Sequence, residues 1–259
     1  MRDAPRSRPA GELWVIPIRG IGEVRPGDVL ADRILKALRR QNHSLERGDI
    51  LVVTHKVVSK AEGQIVPLRQ VKPSRVAQRW AKRHKADARV VELALSQARR
   101  VVRMQRGVLI TQTRHGLVCA NSGVDLSNVD GGRSAVLLPH DPDRSAQDLR
   151  RVLHQRAGLD IPVIITDSFG RPWREGLTEV AIGVAGIKAL RDYRGRRDPA
   201  GYRLRATLEA VADELAGLAG LAAGKLSRTP ACIIRGFHYQ RGSGRARDLV
   251  RPAARDLFR

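Results

Sequence analysis

The chain has 259 residues, 42% hydrophobic and only 3% aromatic. That is enough for one large domain, or two small ones tightly joined, around an aliphatic core, and it excludes wholesale disorder. The 48 Lys and Arg against 26 Asp and Glu give a formal charge of +22, which favours anionic partners: nucleic acid, anionic membrane or phosphorylated small molecules.

Forty of the basic residues are Arg, a skew that a GC-rich genome produces without selection for binding, so charge alone decides nothing. Cys119 and Cys232 are too few for a disulfide scaffold or a four-thiolate zinc site, and each lies in an apolar run as a small core residue. No uncharged apolar run approaches the roughly 20 residues of a membrane span, and residues 1–12 form a polar tail, expected to be disordered and without a secretory apolar stretch. A soluble, cytoplasmic protein is expected.

In chain order, Trp14-Val15-Ile16-Pro17-Ile18 reads as a strand ending in Arg19-Gly20-Ile21-Gly22-Glu23. Ile34, Leu35 and Leu38 put a helix over about Ala31 to Arg40, and Ile50 to Val53 forms the next strand. Residues 67–106 hold twelve Lys and Arg and two acids, with Val76, Trp80, Val90, Val91, Ala94 and Val101 at helical spacing. Val108 to Thr113 and Leu117 to Ala120 read as a hairpin, followed by the polar loop Asn121 to Asn128. Ala135 to Leu138 is a strand. Ser145-x-x-Asp148 reads as a capping box opening a helix to about Ala157. Val163-Ile164-Ile165 is a strand ending in Thr166-Asp167-Ser168, with the segment to Gly176 as a loop, and Glu179 to Ile187 is a buried apolar segment. Tyr202 to Ala223 reads as one long helix with Leu208, Val211, Leu215 and Leu218 inward, and Ala231 to Ile234 as the last core strand. Interleaved strands, helices and hairpins predict a mixed α/β (α+β) fold of two intertwined subdomains. The domain is expected over residues 13–240, with a basic tail over 241–259.

Familiar nucleotide motifs fail here. Ala219 to Leu226 imitates a Walker A loop, but has Ala219 for its first Gly, Leu226 for its Ser or Thr, and no strand leading in. Gly20-x-Gly22-x-x-Arg25 lacks the third Gly of a dinucleotide fingerprint.

Polar residues at strand ends remain. Lys56 and Lys60 follow the Ile50 strand, where a scaffold-held ammonium suits phosphate; two solvated lysines are the plain alternative. Asp125 and Asp167 sit beside Ser127 and Asn128 and beside Ser168. Mg²⁺ and Mn²⁺ favour such all-oxygen sets, usually one or two carboxylates plus substrate phosphates, although both Asp residues also suit turn capping. Arg171 and Arg174 add planar forks for phosphate or carboxylate. Together these suggest phosphoryl transfer, with cations holding a nucleotide and a carboxylate-bound metal neutralising developing charge.

Three blocks carry a resemblance: Gly48 to Val53 with Val57 to Gly63; Asn121 to Val129; and Val163 to Arg174, with Ala181 to Gly186 close behind. In this order and spacing the chain resembles the coenzyme F420-0:L-glutamate ligases, from about Trp14 to about Phe237. The resemblance implies a fold outside the P-loop class, an intertwined homodimer, and amide-bond synthesis in deazaflavin cofactor biosynthesis. GTP would convert the phospholactyl carboxylate of F420-0 into an acyl phosphate, which the amino group of L-glutamate then attacks, with Mg²⁺ or Mn²⁺ and often K⁺. It further implies Asp125 and Asp167 as metal ligands and Ser168 as ligand to a second ion. Nucleotide contacts would come from Lys60, Asn128, the loop Ile21-Gly22-Glu23-Val24, the pair His55-Lys56, and Ala223-Gly224-Lys225-Leu226-Ser227-Arg228-Thr229. Lys225 departs from the pattern, because relatives can place a metal-binding acid there and an ammonium has donors only; it is expected to hold phosphate charge instead. The chain stops at Arg259 without a nitroreductase-like extension, so a stand-alone ligase is expected. Two other readings stay open: a paralogue with another amino acid or acceptor, and a basic nucleic-acid-binding protein, for which stacking aromatics and a known motif are lacking.

Overall fold

Alternation along one buried strand sets the architecture. In the computed structural model, which describes residues 11–256, Leu51 and Val53 point into one apolar cluster and Ile50 and Val52 into another. A strand buried on both faces needs helices above and below it.

The elements are β1 (Trp14–Pro17), α1 (Leu30–Arg40), β2 (Ile50–Thr54), α2 (His55–Ala61), β3 (Ile65–Pro67), α3 (Arg75–His84), α4 (Ala88–Ser96), β4 (Ala98–Gln105), β5 (Val108–Thr113), β6 (Val118–Ala120), β7 (Ser134–Val136), α5 (Pro142–Ala157), β8 (Val163–Arg171), β9 (Arg174–Ala185), β10 (Arg191–Asp192), β11 (Leu208–Glu209), α6 (Val211–Ala223) and β12 (Ala231–Arg235). The main sheet runs β1-β12-β2-β8-β9, with β2 and β8 parallel and the other pairs antiparallel. Ile34 and Leu38 of α1, Val57 and Val58 of α2, and Leu149 and Leu153 of α5 pack on one face. Val211, Leu215 and Ala219 of α6 pack on the other. The chain leaves this sheet after α2 and returns at α5. Between them lies a second lobe, in which the sheet β4-β5-β6 packs with α3 and α4, and β3 pairs with β7. The fold is α+β, as expected, with one lobe threaded through the other. Among the described residues no helix is long and apolar enough to cross a membrane.

Four local expectations need correction. The helical spacing over 67–106 holds only to Ser96: Val101 lies in β4, because Arg106 and Gly107, both at positive φ (52° and 77°), form a tight turn that folds β4 back on β5. The helix ending at Ala223 begins at Val211; Leu208 is 44% exposed in β11, paired to β10. The cap of α5 is Asp141, whose side chain accepts from the Arg144 N–H, and Ser145 lies in the first turn. The segment from Thr166 to Gly176 is the outer part of a long antiparallel hairpin, β8–β9, so Asp167 and Ser168 stand within a strand. The expected disordered tail falls on residues outside those described, apart from 11 and 12. Within the expected basic tail, Ala246 is buried and Leu249 and Val250 pack on the main sheet's two cores.

Arg235 and Asp49 anchor the far end of the sheet. Asp49 is fully buried and receives two hydrogen bonds from the Arg235 guanidinium, at 2.6 and 2.7 Å. Glu46 and the Ser44 carbonyl take one more donor each, and the bidentate grip of Asp49 is the pattern that makes a buried charge tolerable.

Candidate active site

The register of the parallel pair places the site. β2 and β8 align Thr54 with Thr166, so His55 and Lys56, the first two residues of α2, follow β2 just where Asp167 follows in β8. His55 is buried, with Nδ1 3.4 Å from Ser59 Oγ and Nε2 3.3 Å from Asp167 Oδ1, the latter outside hydrogen-bond alignment. The adjacent Lys56 turns to the other carboxylate: its Nζ lies 2.7 Å from Asp125 Oδ2 and donates to Ser127 Oγ at 2.5 Å. Consecutive residues of one helix turn thus lie against the two aspartates picked out in the sequence, Lys56 paired with Asp125 and His55 beside Asp167.

Asp125 comes from the second lobe. Its backbone forms a bridge to Val136, and its Oδ1 accepts from the Ser127 N–H at 2.6 Å. Burial acts to raise its pKa, but the hydrogen bonds and charge of Lys56 and the Ser127 amide outweigh that and hold it below the ordinary carboxylate value. β6 packs beside β8, which brings the Cys119 thiol within the field of Asp167. Burial, with that charge behind it, pushes Cys119 up to about 12, so it stays a neutral core thiol, as expected.

Lys60, one helical turn beyond Lys56, is only 5% exposed. Its Nζ donates to Glu23 Oε1 at 2.5 Å and to the Asn128 carbonyl at 2.6 Å. An ammonium has three donors, so the described residues leave one for a ligand. Lys60 therefore ties the loop of Ile21, Gly22, Glu23 and Val24 to the loop of Asp125 and Asn128. Ile21 and Val24 themselves are core side chains, and only their backbone is left for contacts.

The opposite face of the hairpin carries a separate cluster. Successive strand residues point to opposite faces, so Asp167 faces α2 while Ser168 faces the end of α6. Ser168 Oγ donates to Glu179 Oε1 at 2.6 Å, and the Lys225 ammonium contacts both groups. Glu179, whose side chain is 10% exposed, did not stand out in the sequence. It opens an apolar run, and its pairing with Ser168 depends on a register shift between Gly170 and Arg171. The turn at Pro172-Trp173 alone would have set Leu177 opposite Ser168.

Of the loop from Ala223 to Thr229, Lys225 reaches this cluster, Leu226 is 95% exposed, and Thr229 is buried. Ser227 Oγ donates to the Ala223 carbonyl, and Arg228 adopts positive φ. The loop feeds β12, and Pro230 accepts from the Thr54 N–H at 2.8 Å, so its end lies beside the start of α2. A helix leads into this loop, contrary to the strand–loop–helix order of a Walker A motif. Arg171 and Arg174 pair at the hairpin tip, about 13 Å along the strand from Asp167 at ~3.3 Å per residue. Within one chain they stand apart from the aspartates.

Hard-cation chemistry fits what is present. The Asp125 and Asp167 carboxylates are all-oxygen donors, and Asp167 Oδ2 accepts no hydrogen bond from the described residues. Among those residues no three His, Cys, Asp or Glu side chains form a metal cage. Two carboxylates completed by phosphate and water are the usual arrangement for Mg²⁺.

Comparison with known proteins places the chain. Residues 20–236 match the family described as F420-0:Gamma-glutamyl ligase. The chain is 46% identical over 252 residues to a protein of Methanopyrus kandleri named coenzyme F420:L-glutamate ligase, covering 95% of this chain and 98% of that one. Proteins of the same name from Methanothermobacter thermautotrophicus (43% identity; 95% of this chain, 99% of that one) and Archaeoglobus fulgidus (39%; 95% and 96%) are also similar. The chain belongs to the F420-0:gamma-glutamyl ligase family.

Proposed function

We propose that this protein joins L-glutamate to coenzyme F420-0 by an amide bond, at the expense of GTP. Family membership over residues 20–236 supports the ligase chemistry. The observation that carries the location is that two successive residues of α2 meet the two aspartates, Lys56 paired with Asp125 at 2.7 Å and His55 Nε2 3.3 Å from Asp167.

In this reading Lys56 and the free donor of Lys60 bind the nucleotide's phosphates, and the Asn128 and Glu23 loops, clamped by Lys60, flank it. Asp125 and Asp167 would hold Mg²⁺ or Mn²⁺, which supplies charge neutralisation on the triphosphate. A substrate carboxylate oxygen attacks the γ-phosphorus and GDP leaves, giving an acyl phosphate. The glutamate amine then attacks the acyl carbon, inorganic phosphate departs, and the amine proton is lost to solvent. Preorganised cations assist because the negative charge that builds on the departing GDP oxygen is met without local rearrangement.

The working unit in this reading is a homodimer. The β8–β9 hairpin bears Trp173, 80% exposed, and Leu177, 63% exposed, which a second copy would cover. The hairpin would carry Arg171 and Arg174 toward the partner.

Mass spectrometry of the purified protein with F420-0, L-glutamate, GTP and Mn²⁺ tests the reaction. Products spaced by glutamate residues, absent without GTP, are expected. GTP consumption that needs glutamate but ignores F420-0 would replace the acceptor, and salt-sensitive DNA binding without turnover would replace the enzyme reading.

A further inference from the structure

Glu179 is a carboxylate shut in from several sides. Ser168 Oγ donates to it across the hairpin, and its side chain is 10% exposed. Gly220 of α6 presses against it so closely that a Cβ added there would lie 2.4 Å from Glu179 Cγ. A carboxylate so enclosed requires a counter-cation. In this chain Gly224, at φ 65°, turns the backbone out of α6, and the next residue, Lys225, returns its ammonium to Glu179 Oε1 and Ser168 Oγ. The hydroxyl points its O–H at the carboxylate as a hydrogen-bond donor, so the lone pairs of both oxygens are left to face the same point.

We infer that Ser168 and Glu179 form an oxygen-lined cation position that Lys225 fills as a tethered cation, keeping a free metal ion out. A covalent tether gives the ammonium a high effective concentration at the position, and an ammonium cannot itself coordinate a metal. The outer side of Lys225 is open, its side chain being 60% exposed, so its replacement leaves the core intact and the position reachable. The inference rests on the contacts around Glu179 and is independent of which substrates the protein takes.

Counting Mn²⁺ bound per chain, from the electron paramagnetic resonance signal of the free ion, tests it with Mn²⁺ as the only probe. Lys225→Met is expected to bind one more ion per chain than the wild type. Lys225→Arg, which keeps a cation in place, should bind the wild-type number. Lys225→Met combined with Glu179→Gln should lose the added ion. An unchanged count for Lys225→Met, or a gain by Lys225→Arg, overturns the inference. Asp167→Asn, with Lys225 intact, reports separately on the carboxylates assigned to the ligase site.

Discussion

Lys56 Nζ lies 2.7 Å from Asp125 Oδ2, joining the first turn of α2 in the main sheet to a loop of the second lobe. The Asp125 pKa lies below its ordinary value because this pairing and the Ser127 amide outweigh burial. A depressed carboxylate contributes stability that is complete above its unfolded value, about 4, and is lost as pH falls through the folded value. Lys56→Met leaves the burial and removes the main opposing charge, so the Asp125 pKa should rise. Denaturant unfolding followed from about pH 6 down to about pH 2 should lose stability more steeply below pH ~4 in the wild type than in the variant. Superimposable pH profiles would remove Lys56 as the cause.

Asp125→Asn and Asp167→Asn keep side-chain volume and remove charge. Each should lower ligation by about a hundredfold or more, the scale of losing a preorganised electrostatic contact, with the circular dichroism spectrum of the folded protein retained; Asp125→Asn should also melt lower, because it gives up the Lys56 pairing. Near-normal turnover in both variants would show that the aspartates serve only the loops.

Asp49→Ala addresses the scaffold. It leaves the Arg235 guanidinium, 7% exposed, without the two hydrogen bonds that Asp49 accepts, and breaking a buried pair costs about 3–5 kcal/mol. Urea denaturation should show a loss of that size, while a change below about 1 kcal/mol would place this pair among the inexpensive surface type.

Much of this was legible in the sequence because core strands announce themselves. Ile50 to Val53, Val163 to Ile165 and Ala231 to Ile234 are unbroken apolar runs, and all three are central strands. Asp125, Asp167, Lys56 and Lys60 were visible as polar residues where such runs end. Glu179 was not, because its partner is set by a register shift that no local pattern encodes. Helical spacing also misled where tertiary pairing overrode it, at Val101 in β4 and Leu208 in β11. Arg171 and Arg174 follow Asp167 closely in the chain, yet an extended strand carries them away from it.

Trp173 and Leu177 test the assembly. For the homodimer proposed above, the wild type should scatter light as two chains and Trp173→Ser with Leu177→Ser as one, since exposed apolar residues favour burial against a partner. A dimer of unchanged mass would move the interface elsewhere.

Anomalous diffraction from a crystal soaked with Mn²⁺ and GTP tests the central claim most directly. A manganese peak within coordination distance of both the Asp125 and Asp167 carboxylates, with triphosphate oxygens on its open side, is the expected result. A peak bound elsewhere, or two carboxylates too far apart to share one ion, would contradict it.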